Sequence, residues 1–193
     1  MTLEIVRYGH PTLREKAPKL REIPADLEEF ARDMLETMYE AQGVGLAAQQ
    51  VGSTLRICVI DITGADRPSK MWFSGVEVDP EDYMPLILIN PVVKVSGDNL
   101  SGPEGCLSFP GIGGNIIRPA FADVEALKLD GSLLSFKCAG LLSRAVQHEV
   151  DHLDGVLFID RMIQRDKEKA KPAIRELLRQ TKADLDAKKR ILS

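Results

Sequence analysis

The segment Leu141–Leu153 limits the fold of this chain more than any other. Leu142, Ala145, Val146, Val150 and Leu153 recur at helical spacing, so the segment reads as a helix with an apolar face turned to the core. Gly155 stands where such a helix can end. The same helix carries Gln147-His148-Glu149-Val150-Asp151-His152, an HExxH pattern. Four residues advance a helix by about 400°, which leaves His148 and His152 roughly 40° apart on one face and about 6 Å apart along the axis, where both imidazoles reach one ion. Glu149 borders that face, and a carboxylate there can take a proton from metal-activated water and return it to a leaving group. The alternative is a solvated charged stretch that matches by chance. It is weakened because the pattern holds two of the chain's three histidines, and because two imidazoles and a carboxylate are costly to bury in an apolar helix unless they coordinate or pair.

Two histidines leave a hydrolytic metal one short of its usual three protein ligands. The third can be a downstream carboxylate, with Glu168 and Glu176 as candidates, or the thiolate of Cys106 in the non-periodic, glycine-containing stretch Glu104–Pro110. Cys58 and Cys138 sit in apolar strand patterns and read as small core residues. His10, before Pro11, reads as a surface or packing residue.

Around this helix the chain reads as α+β. Pro24–Gln42 has a second amphipathic pattern through Leu27, Phe30, Ala31, Met34, Leu35 and Met38, with Gly43 as its stop. Gly43–Gln50 reads as a loop of small residues, and Thr63–Pro85 as an irregular surface excursion. Leu55–Ile60 and Leu86–Ile89, continued through Val92–Val95, read as strands, with Pro91 placing the second at an edge or splitting it. Val124–Leu129 and Leu133–Cys138 form a hairpin on Asp130-Gly131. Strands preceding an apolar helix without βαβ alternation predict mostly antiparallel strands packed around the HExxH helix.

Three segments together, Gly43–Gln50 (GVGLAAQQ), Glu104–Ser108 (EGCLS) and Gln147–His152 (QHEVDH), resemble the three signature motifs of the peptide deformylases, in that family's order. The resemblance runs from about Ile5 through Asp160. It implies an enzyme that hydrolyses the N-formyl group of the N-terminal formylmethionine of nascent polypeptides and releases formate. It implies one divalent ion, Fe(2+) expected and Zn(2+), Ni(2+) or Co(2+) able to replace it, held by Cys106, His148 and His152. Glu149 becomes the proton shuttle, and Gln50 with the backbone N–H of Leu107 the donors to the developing oxyanion. Gly45 becomes a close-approach site for an extended substrate, Val44 a border of the methionine pocket together with the Leu141–Ala145 face, and Arg144 a residue that narrows or rims that pocket. Glu104 and Arg118 match positions that pair to brace the cysteine loop. The rival reading, a zinc endopeptidase using a downstream glutamate, leaves EGCLS and GVGLAAQQ unexplained; a structural metal module needs a fourth protein ligand.

Charge divides the chain. The net −4 splits into an acidic part and a basic tail, since residues 161–193 hold eleven Lys and Arg against five Asp and Glu. This excludes a uniformly basic nucleic-acid binder, and no DNA partner is expected. The expected organisation is a catalytic domain over 1–160 and a basic helical tail of the same domain over 161–193. In the tail, Ala170, Ala173, Ile174, Leu177, Leu178 and Leu185 keep helical spacing, with Pro172 marking a kink or a late start. Arg175, Arg179 and Lys182 share a face. That face is either simply solvated or, since some bacterial deformylases dock on the ribosome through a C-terminal helix, a surface for RNA phosphates. An odd cysteine count at wide spacing, no apolar leader in Met1–Leu20 and no membrane-length apolar run predict a reduced, cytoplasmic protein with no membrane partner.

Overall fold

A computed structural model describes residues 1–192 of the chain. One antiparallel seven-stranded sheet runs in the order β1-β2-β5-β6-β7-β3-β4, built from β1 (Gly45–Ala47), β2 (Ile57–Ile60), β3 (Ser69–Phe73), β4 (Val76–Val78), β5 (Leu86–Gly105), β6 (Gly113–Leu127) and β7 (Leu133–Ala139). Helices α1 (Leu27–Glu40), α2 (Gly140–Leu153), α3 (Phe158–Arg161) and α4 (Gln164–Leu192) complete an α+β fold.

Strand β2 shows why the two long sequence-predicted helices lie on opposite faces of the sheet. Its residues Ile57, Cys58, Val59 and Ile60 are all buried, and side chains alternate in direction along a strand. Ile57 and Val59 pack with Leu27, Ala31, Met34 and Met38 of α1. Cys58 and Ile60 pack with Leu142, Ala145, Val146 and Leu153 of α2. Fully burying a side chain such as Leu142 contributes roughly 1.5–3 kcal/mol, so α2 is fixed by its apolar face while its polar residues are carried inside with it. Its end is fixed too. The buried Arg56 donates to Asp154 Oδ1 at 2.9 Å and to Leu153 O at 3.2 Å. Gly155 adopts φ +73° where a Cβ would come 2.6 Å from Arg14 O, which leaves glycine as the residue that fits.

Several expectations are revised. α1 begins at Leu27 and ends at Glu40, inside the expected Pro24–Gln42. Gly43–Gln50 is not all loop: Gly45–Ala47 pairs with β2, Leu46 opposite Val59, and Ala48–Val51 is a 3-10 turn. Thr63–Pro85 contains the β3–β4 hairpin, which joins the sheet through β7 with Met71 opposite Cys138. Pro91 neither ends β5 nor places it at an edge. It sits at a register shift between Ile89 and Val92, where one strand passes from pairing with β2 to pairing with β6. β5 then continues to Gly105, so Pro103 and Glu104 are strand residues rather than loop.

The tail folds as one helix that begins before Pro172 and includes it, rather than starting after it. Its Leu177 is buried, and Ala170 and Ile174 pack on a cluster built from Leu13, Phe109, Ile116, Leu157 and Phe158. The tail therefore covers the core beneath the EGCLS turn. Among the described residues no helix is long and apolar enough to cross a membrane.

Candidate active site

β5 and β6 deliver the cysteine. Their last pair, Gly105 opposite Gly113, is followed by a turn closed by Phe109 N donating to Cys106 O at 2.8 Å and Ile112 N donating to Phe109 O at 3.0 Å. The Phe109 ring is buried between Tyr8 and Phe158, with centroids 4.8 and 5.0 Å away. This anchor sets Cys106 over α2. Cys106 Sγ lies 3.2 Å from His152 Nε2, and the His148 and His152 rings stand 5.0 Å apart. One donor atom from each of Cys106, His148 and His152 lies within 4.8 Å of the others; among the described residues this is the one such cluster of His, Cys, Asp and Glu.

A thiolate and two imidazoles suit zinc, iron, cobalt or nickel, and the surroundings fit a cation. His148 Nδ1 is 3.1 Å from Glu104 Oε2, which leaves Nε2 free to face the ion, and such outer bonds orient a ligating imidazole. Burial holds the His152 ring well below the ordinary imidazole range, in the neutral form that ligates. Glu149 Oε2 is buried with no hydrogen-bond partner among the protein atoms. Burial pushes the Glu149 carboxyl up to about 7 against the opposing His148 and Arg118 charges, the range in which a carboxyl both accepts and donates a proton at neutral pH.

Glu104 gathers four bonds. Its Oε1 accepts from Arg118 Nε and Arg144 Nη1, both at 2.7 Å, and its Oε2 accepts from Arg118 Nη2 at 2.9 Å besides facing His148. Burial alone would raise this carboxyl; the bonds from His148 and Arg118 overcome it and hold it well below the usual carboxylate range. Arg118 also donates to Asp151 Oδ2 at 2.8 Å, and Asp151 takes two more bonds from Arg161. The sequence reading missed Asp151 and Arg161. A charged residue at a variable place of HExxH, buried with the rest of α2, is the signal that pointed to a partner.

A cavity of about 610 Å³ opens beside this cluster. Gln50, Cys106, Leu107, His148 and Glu149 line it, as do Val44, Leu141 and Ala145. Gln50 Oε1 accepts from Ala47 N at 2.8 Å, which directs Nε2 to Cys106 Sγ at 3.5 Å. Gly45 lies against Glu149: a Cβ there would come 2.9 Å from Glu149 Cδ and closer still to Oε1. The space a side chain would take at Gly45 thus belongs to the Glu149 carboxylate. Arg144 lines the cavity, but its guanidinium is engaged by Glu104, Leu100 O and Ile116 O.

The remaining candidates lie away from the cluster. Glu168 accepts from Gln164 and Glu176 from Arg179 and Gln180, both on the exposed side of α4 and outside the metal cluster, so the downstream-glutamate endopeptidase reading loses its ligand. Cys58 and Cys138 are buried in β2 and β7. His10 Nδ1 accepts from Thr12 N at 3.3 Å and caps a 3-10 turn.

A family model described as polypeptide deformylase matches residues 2–168. The chain belongs to this family. It is 40% identical over 185 residues to the peptide deformylase of Opitutus terrae, covering 95% of this chain and 96% of that one. With the peptide deformylase of Endomicrobium trichonymphae it shares 46% identity over 161 residues, 82% of this chain and 84% of the relative. Among solved structures, peptide deformylase from Plasmodium falciparum superposes with a TM-score of 0.81 at 36% identity, covering 93% of this chain and 98% of that one. That from Thermus thermophilus gives 0.79 at 32%, covering 95% and 99%. The deformylase family is metal-dependent, in keeping with the Cys–His–His cluster.

Proposed function

We propose that this member of the family removes the formyl group from the N-terminal formylmethionine of nascent polypeptides by the concerted use of Glu149, Gln50 and the Cys106–His148–His152 cluster. The observation that carries the reading is Glu149: a buried carboxyl whose Oε2 has no protein hydrogen-bond partner, beside three clustered metal-type donors and lining a cavity.

Hydrolysis breaks the bond between the formyl carbon and the methionine nitrogen; water supplies the hydroxyl that completes formic acid and the hydrogen that completes the free amine. Cys106, His148 and His152 would hold a divalent ion, which when bound would supply Lewis acidity toward the formyl carbonyl and toward water. Glu149 takes the proton from the attacking water and passes it to the departing nitrogen. Gln50 Nε2, oriented by the Ala47 bond to its Oε1, and the N–H of Leu107 donate to the oxygen on which negative charge develops. Val44, Leu141 and Ala145 give the methionine side chain an apolar wall.

The ion in this reading is Fe(2+), which the same thiolate and imidazoles exchange for Zn(2+), Ni(2+) or Co(2+). The enzyme works in the cytoplasm, where nascent chains emerge, and the exposed Arg175 and Lys182 on α4 offer charge to ribosomal RNA phosphates. Formate release from formyl-Met-Ala-Ser, beside acetyl-Met-Ala-Ser, tests the reaction: formate from the first and no hydrolysis of the second is expected, and inactivity of the metal-loaded protein on the formyl peptide contradicts it.

A further inference from the structure

We propose that Arg144 is a positioning residue that acts through Glu104 on the His148 ring and makes no contact with substrate. The inference rests on the reading of Cys106, His148 and His152 as the metal centre.

Arg144 stands on α2 one turn before His148. Its Nη1 donates to Glu104 Oε1 at 2.7 Å and to Ile116 O at 3.0 Å, and its Nη2 donates to Leu100 O at 2.9 Å. The guanidinium is thereby tied to β5 at Leu100 and Glu104 and to β6 at Ile116. β5 is shaped to admit it: a Cβ on Gly102 would lie 3.0 Å from Nη2 and 3.1 Å from Cζ. The Arg144 side chain is 10% exposed and that of Glu104 6%, so a guanidinium with these three bonds has little freedom to turn toward a ligand in the cavity.

Arg144 and Arg118 approach the same carboxylate, and they do different things for it. Arg118 bonds both oxygens of Glu104 while also donating to Asp151. Arg144 adds a second donor on Oε1, from a different element. Arg118 grips both oxygens from β6, and the Arg144 bond on Oε1 ties the same carboxylate to α2 four residues before His148, so it bears on where Oε2 meets His148 Nδ1. Loss of Arg144 leaves Glu104 paired with Arg118 but removes its direct bond to α2, so the consequence falls on how Glu104 sits against the His148 ring. Outer partners of ligating histidines typically carry roughly 10–100-fold effects on metal affinity.

The test is metal release from cobalt-loaded full-length protein into excess chelator, with thermal midpoints measured in parallel. Arg144→Ala is expected to release cobalt roughly 10-fold faster and to shift the visible absorption of the bound ion. KM for formyl-Met-Ala-Ser stays nearly unchanged while kcat falls. Arg144→Lys, which keeps a donor for Glu104, is expected to recover part of the retention. Phe136→Leu, a core change in β7 that takes no part in the bonds of Glu104, Arg118 or Arg144, is the control for lost stability and is expected to leave the release rate alone. Unchanged cobalt release in Arg144→Ala with a raised KM overturns the proposal and makes Arg144 a substrate contact. Equally fast release from Phe136→Leu at a matched thermal midpoint also overturns it, by assigning the effect to stability. Release is read whatever the protein hydrolyses, so failure of the deformylase reading does not masquerade as failure here.

Discussion

His148 Nδ1 and Glu104 Oε2 lie 3.1 Å apart, so a strand residue two positions before the metal cysteine holds the far side of a metal-facing histidine. β5 thus contributes twice to the centre, by leading directly into Cys106 and by Glu104 through the ring it orients. Arg118 and Asp151 extend the same contact across α2 to Arg161. The centre is held by packed strands and a core helix, and only the turn after Gly105 departs from regular structure.

Arg118→Ala removes the partner shared by Glu104 and Asp151. Breaking a buried pair costs roughly 3–5 kcal/mol, and this case falls toward the low end because Arg144 still reaches Glu104 and Arg161 still reaches Asp151. Thermal unfolding and metal analysis of the purified variant check this. A lower midpoint with lower metal occupancy is expected; full occupancy and full activity contradict a bracing role.

Gly45→Ala places a methyl group where the Glu149 carboxylate sits. The backbone there is an ordinary strand, so the fold tolerates alanine, but the carboxylate must move. A displacement near 1 Å costs about 100-fold in rate. Steady-state kinetics should show kcat reduced on that scale with a nearly unchanged thermal midpoint; wild-type kcat would mean that Glu149 need not occupy this position.

Much of this arrangement is legible in the sequence where burial is periodic. Leu142, Val146 and Leu153 mark α2 because their spacing follows from one buried face, and the HExxH residues ride on it. The outer half of β5 leaves no such mark: from Val95 to Ser101 its residues are exposed, and the strand exists because β6 pairs with it. β3 is hidden for a related reason, with Met71 its one buried residue. Gly45–Ala47 is too short and too small to show alternation and becomes a strand through Leu46 opposite Val59. The bonds of Arg144 to Leu100, Glu104 and Ile116 join residues far apart in the chain, which no local pattern encodes. Both histidines were readable from the HExxH spacing, whereas the residues alone left the third ligand open between Cys106 and a downstream glutamate, and the resemblance of Glu104–Ser108 to a deformylase motif implied the cysteine.

Stripping the ion by chelation should lower the thermal midpoint, because a ligand bound to the native state alone stabilises it by about 2.7 kcal/mol at 100 times its Kd. Scanning calorimetry before and after adding back cobalt or nickel checks this. In Cys106→Ser the added ion should restore far less, and equal restoration would remove the thiolate from the ligand set.

Arg175→Glu combined with Lys182→Glu tests the tail without removing Leu177 from the core. Weaker association with ribosomes is expected, with the slope of log affinity against log salt reduced by about 2 if both cations meet phosphate. Equal binding at low salt argues for a merely solvated face.

The most direct measurement is the rate of formate release from formyl-Met-Ala-Ser by metal-loaded Glu149→Gln beside the unaltered protein, with metal content determined on the same samples. Glutamine keeps the size of the side chain and removes its capacity to carry the proton, and general acid–base catalysis of this kind is worth about 100- to 10,000-fold. A loss in that range at unchanged metal content is predicted; formate release at the unaltered rate would contradict the account.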